Sequence, residues 1–193
     1  MTANTTNGLG NEMEGRSENK STITGNLAIP NSMLQPMPEQ HPMYRLIGRI
    51  VTEAAFHEHI LDVIIWRLKG LTPAEGIRCT NNLSVDARYD TIIAQTNERG
   101  MTDLSKNFED ARSRSKAPTA RRNRLVHDTW YADGRDFPAH QFQGVTLRRK
   151  PLEPSEIGWK PVAEAEMECL LKDLLECGMR AIDLFDEVKT ALG

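Results

Sequence analysis

Two apolar stripes at helical spacing, one on each side of the chain's middle, restrict the possible folds more than any other feature. From about Pro42 to Lys69, Ile47, Ile50, Val51, Ala54, Leu61, Ile64, Ile65 and Leu68 recur on one helical face. From about Val162 to Leu192, Met167, Leu170, Leu171, Leu174, Ile182, Phe185 and Val188 do the same. A long helix with one greasy side is stable only when other elements cover that side. These two helices therefore expect each other, together with whatever helices lie between them.

The intervening sequence supplies the covering elements. Gly70 and Thr72-Pro73 read as the end of the first helix, followed by an irregular loop to Asn82. Ser84 is placed to cap a shorter helix bearing Val85, Tyr89, Ile92 and Ile93, which ends near Gly100. Thr102 or Asp103 starts another, with Leu104, Phe108 and Ala111 facing inward. Pro118 either kinks this helix or opens a new one over Thr119 to about Tyr131. Asp133-Gly134 marks a turn, and Phe142 to Lys150 suggests one short strand or an extended loop. The expected fold is all-α: an antiparallel helical bundle with a small irregular or β excursion between the last two helices. Residues 1–41, rich in Thr, Asn, Gly, Ser, Pro and Met without apolar periodicity, read as a disordered leader, with the domain over 42–193.

Composition excludes several classes. A chain of 193 residues can bury one substantial core. The longest apolar run, Ile60 to Trp66, contains Asp62 and is too short to span a bilayer, and the first forty residues hold no apolar signal segment. Cys79, Cys169 and Cys177 are odd in number and lack metal-binding spacing, which suits free thiols in a reducing cytoplasm.

The net charge of −3 conceals a local contrast. Between Arg112 and Arg124 the charged residues are all basic: Arg112, Arg114, Lys116, Arg121, Arg122 and Arg124. Such a run alone reads as a solvated helix face. Here it leads into Arg122-Asn123-Arg124-Leu125-Val126-His127, where a permanent guanidinium, an amide and an imidazole share two helical turns. On a helix, Asn123 and His127 lie about 40° apart, and Arg122 and His127 about 140°. An imidazole can take the proton from a ribose 2′-hydroxyl or return one to the leaving oxygen. A forked guanidinium can balance charge growing on the phosphate, and that scheme needs no metal or other cofactor.

This hexapeptide resembles the Arg-polar-x-x-x-His signature of the HEPN (higher eukaryotes and prokaryotes nucleotide-binding) superfamily, and the continuation through Asp128, Thr129 and Trp130 looks like that of many bacterial members. The resemblance implies an all-α bundle and a metal-independent ribonuclease, often a toxin or antiviral effector, that dimerises so two motifs face one composite cleft. It assigns Arg122 and His127 catalytic roles and Asn123 a supporting polar role. Arg121, Arg124, Arg114 and Lys116 are the accompanying candidates for RNA contact. Some members carry a tyrosine two residues after the histidine that a partner nucleotidyltransferase modifies. That position here is Thr129, with Tyr131 two residues further on, so regulation by a nucleotidyltransferase or antitoxin through that tyrosine is not expected. Two other readings are a non-catalytic RNA- or nucleotide-binding module of the same type, and a helical interaction or oligomerisation protein using the 162–192 helix.

The remaining signals are weaker. His57 and His59 point about 200° apart on a helix and cannot share one ion. His57 then sits at the edge of the apolar stripe and His59 at the surface, while Glu58 and Asp62 could face the Arg122 region as structural partners. No Gly-rich phosphate loop or nucleophile-elbow serine is present. Arg148-Arg149-Lys150 reads as a solvated loop.

Overall fold

The computed structural model describes residues 39–127, 129–132, 139–143 and 158–193. Within them lie five helices, α1 (Pro42–Lys69), α2 (Pro73–Thr80), α3 (Val85–Glu98), α4 (Thr102–His127) and α5 (Glu164–Leu192). Three short strands, β1 (Thr129–Ala132), β2 (Ala139–Gln143) and β3 (Gly158–Val162), fall between α4 and α5. The protein is an all-α helical bundle, and the strands form an antiparallel meander in the order β1-β2-β3.

Local chemistry sets the helix ends. Pro42 occupies the first turn of α1, where its missing N–H costs nothing, and His41 Nδ1 accepts from the Met43 amide at 3.1 Å. Gly70, at φ +64°, turns the chain out of α1, with its N–H on Arg67 O and that of Leu71 on Trp66 O. Thr72-Pro73 closes α1, as the sequence suggests, but it also opens α2, so the stretch to Asn82 is not an irregular loop. Thr72 and Glu75 form a reciprocal capping box, with proline in the first turn. Ser84 caps α3 by accepting from the Ala87 amide at 3.2 Å.

Of the two alternatives at Pro118, α4 takes the continuing helix: the ring removes one helix hydrogen bond, but Ser115, Pro118 and Leu125 are buried on the same side and hold both halves against the bundle. Against the sequence reading, the helix stops at His127, not near Tyr131. Trp130 belongs to β1, where its indole N–H donates to the Leu125 carbonyl at 2.8 Å and satisfies one of the acceptors a helix end leaves open. Of the stretch Phe142 to Lys150, the first two residues close β2 and 144–150 lie outside the described residues, as do 1–38.

Two apolar clusters give the helix directions. Met43, Leu46, Ile50 and Ala54 of α1 meet Met167, Leu170, Leu171 and Leu174 of α5, with Leu125, Ala139, Trp130 and Val162 closing that end. Leu61, Ile64, Ile65 and Leu68 meet Ala181, Leu184 and Val188, together with Val85, Tyr89, Ile92, Leu104, Phe108 and Ala111. Thus α1 and α5 lie side by side in the same direction, and α4 runs antiparallel to both. The chain can do this because α2 carries it back along α1 before α3 starts near Asp62. Polar groups gather where the clusters meet, around the hydroxyl of Tyr89, itself part of the second cluster: His57 of α1, Ser115 and Arg122 of α4, and Cys177 of α5.

Candidate functional site

The last turns of α4 and the middle of α1 build the site together. Arg122 is half-buried, and its Nη2 contacts the Glu58 carboxylate. Glu58 also lies 3.4 Å from Arg88 Nη1. Arg88 is 6% exposed; its Nε is 2.7 Å from Asp62, and its Nη2 reaches the Thr80 carbonyl. Charges alternate along Arg122, Glu58, Arg88 and Asp62, so each buried ion has an opposite neighbour, as burial demands. Glu58 and Asp62, four residues apart on α1, supply both acids.

His57 lies beneath this chain, 1% exposed, with Nε2 3.0 Å from the Tyr89 hydroxyl. Burial first, then the positive charges of Arg88 and Arg122, push its pKa from 6.5 down to about 4. The ring is neutral at physiological pH and serves packing, not proton transfer. Burial likewise raises the Tyr89 hydroxyl, which stays a phenol. His57 is thus more enclosed than a stripe-edge residue. His59 is exposed and meets Trp66 edge-on, and among the described residues no group of three His, Cys, Asp or Glu side chains could hold a metal ion.

A groove of about 580 Å³ opens between α4 and the start of α3, and Glu58, Ser84, Lys116, Thr119, Arg122 and Asn123 line it. Arg122 and Asn123 therefore share a cavity. His127 does not line it: it is exposed in the last turn of α4, about 7.5 Å further along the axis than Arg122 by helix rise. Asn123 is exposed as well and, four residues from His127, connects the groove to it along one face. Within one chain, Arg122 marks the inner edge of this face and His127 the outer.

The basic segment divides around the helix. Lys116 points into the groove. Arg112 pairs with Asp86 and Asp90 at 3.0 and 2.8 Å. Arg114 pairs with Asp110 at 2.9 Å and lines a second cavity, of about 630 Å³, against Tyr89, Cys177 and Arg180 on the α5 side. Arg121 donates to the Glu166 carbonyl of α5 at 3.3 Å, and Arg124 is half-buried in the same turn as His127. The run of cations is thus distributed among several partners rather than presented as one field. Arg88 escaped the sequence reading. The available signal was two acids, Glu58 and Asp62, bordering an apolar stripe, which require a buried cation from elsewhere.

No helix among the described residues is long and apolar enough to cross a membrane. No family model matches the chain, and comparison with curated proteins and with solved structures finds no match.

Proposed function

We propose that this protein is a metal-independent endoribonuclease of the HEPN type, acting as a homodimer in the cytoplasm as a toxin or antiviral effector. The observation that carries the reading is the end of α4, where Arg122 and Asn123 line a polar groove and Asn123 shares with His127 the helix face that leads to open solvent. His127 takes the 2′-hydroxyl proton, the 2′-oxygen attacks phosphorus, and the 5′-oxygen leaves with a proton, giving a 2′,3′-cyclic phosphate and a 5′-hydroxyl end. Arg122 stabilises charge on the phosphoryl oxygens, and Asn123 holds the phosphate between them.

In this reading a second copy supplies the histidine that returns the other proton to the leaving 5′-oxygen. The surface beside the motif suits that role. Tyr44 and Val51 precede Glu58 by fourteen and seven residues on the same face of α1, and they are 46% and 41% exposed; Val126 of α4 is 42% exposed. Incubating the purified protein with single-stranded RNA in EDTA tests the proposal. Cleavage is expected to persist and to fall at least about 100-fold in His127→Ala, in line with the loss of a general acid–base group. Full activity in that variant refutes the assignment.

Two observations favour a second reading. Arg122 is already engaged by Glu58, and His127 lies outside the groove. A non-catalytic RNA-binding module has the same parts. It shows salt-dependent binding that is lost on substituting Lys116 and Arg122, with no cleavage products.

A further inference from the structure

Arg122 needs more than its own backbone to be useful. Its side chain leaves α4 on the buried side, about 100° from Asn123, with several rotatable bonds between helix and guanidinium. A free arginine there would lose rotamer entropy at each encounter with a phosphate. The structure removes that freedom beforehand. Glu58 grips Nη2 from across the α1–α4 boundary. The Arg122 Nε atom is buried and has no hydrogen-bond partner among the described residues, so the head group is held against the protein and is not swinging in solvent.

Glu58 is itself held. Arg88 stands 3.4 Å from its second oxygen, and Arg88 is fixed by Asp62 and by the carbonyls of Thr80 and Leu83, at the junction of α2 and α3. This support comes from three different segments of the bundle. A guanidinium carries five N–H donors; with Nη2 on Glu58 and Nε buried, Nη1 keeps its donors for the groove that Arg122 lines.

We propose that Glu58 is a positioning residue for Arg122, clamping its guanidinium at the groove wall so that the fork meets a phosphate without rearrangement. The inference rests on the ribonuclease reading and assigns that site a residue outside the α4 motif, sixty-four positions upstream. Preorganised donors act in the transition state without reorganisation, and a misplacement of about 1 Å remote from the reacting atoms can cost about 100-fold. In this proposal Glu58, which also borders the groove, acts on the phosphate only through Arg122, so its removal lowers kcat more than it changes KM.

The test is steady-state cleavage of a single-stranded RNA by wild type, Glu58→Gln and Glu58→Ala. All three are assayed well below the unfolding transition that circular dichroism records for each. Glu58→Ala is expected to lose about 10- to 100-fold in kcat with KM within about 2-fold, whatever its melting temperature. Glu58→Gln keeps an acceptor of the same reach and should fall only about 3- to 10-fold, a partial rescue. If Glu58→Ala does not fold, the Glu58→Gln kcat carries the decision, and a wild-type value there overturns the proposal. Unchanged kcat in a folded Glu58→Ala also overturns it. So does a raised kcat, which marks Glu58 as a restraint on Arg122. Cleavage that requires His127 but not Glu58 removes this inference alone; cleavage that is absent, or indifferent to His127→Ala, removes the ribonuclease reading and this inference with it.

Discussion

The two halves of the bundle are built to different standards. In the half containing Leu61 to Leu68, α1 is enclosed by α3, the start of α4 and the end of α5, and Phe108, Ile64, Ile65 and Leu184 are fully buried. In the half containing Met43 to Ala54, α3 is missing, because it begins only near Asp62. The core there closes with Leu125, the first turns of α5 and three residues from the strands, while Tyr44, Val51 and Val126 stay open to solvent. The candidate site lies where coverage changes, with Arg122 among the polar groups where the clusters meet and His127 beyond them. A closed half supplies rigidity and an open half supplies access, and this chain joins them along one helix.

Truncation should break that comparison most visibly. Phe108→Ala in the enclosed half is expected to cost about 3–5 kcal/mol, against about 2 kcal/mol for Leu125→Ala, whose surroundings can relax toward solvent. Urea denaturation of the two variants measures both. Equal losses would mean that the open half is as tightly packed as the closed one.

The polar groups between the halves should respond to acid. His57 has a folded-state pKa of about 4 against an ordinary 6.5, so between those values the unfolded chain binds more protons than the folded one. Its contribution is complete above about pH 6.5 and is lost as pH falls toward 4. At about 1.36 kcal/mol per pH unit, wild type should lose about 2–3 kcal/mol more than His57→Gln between pH 7.5 and pH 4.5. Parallel losses in the two proteins would show that the ring is not held neutral.

The smallest effect belongs to the enclosed half's periphery. Thr72→Ala removes one side of the α2 capping box and should lower stability by about 1 kcal/mol, leaving any RNA cleavage unchanged. A change in activity would mean that α2 communicates with Arg88 through Thr80.

Much of this architecture was legible because the relevant physics is local. Period 3.6 in apolar residues placed α1 and α5 within two residues of their observed ends, and Ser84 marked the start of α3. The errors came from residues with two meanings. Thr72-Pro73 ends one helix and starts the next, and Trp130 and Tyr131, which suit either an apolar helix face or a strand, belong to β1 rather than to the end of α4. The motif was legible as Asn123 and His127 on one helix face with Arg122 about 140° from the histidine, and Glu58 was legible as a candidate neighbour. Arg88 was not, because its role depends on two acids on another helix.

The sequence alone determined which residues form helices, which faces are apolar, and that Arg122, Asn123 and His127 share the end of one helix. These follow from spacing along a single chain segment. Only the tertiary structure decided that α1 and α5 run together, that Arg122 reaches Glu58, and that Arg112, Arg114 and Arg121 are turned to other partners. Charges and polar groups are assigned by what burial brings within a few ångströms, and that distance is set by packing between segments far apart in the chain.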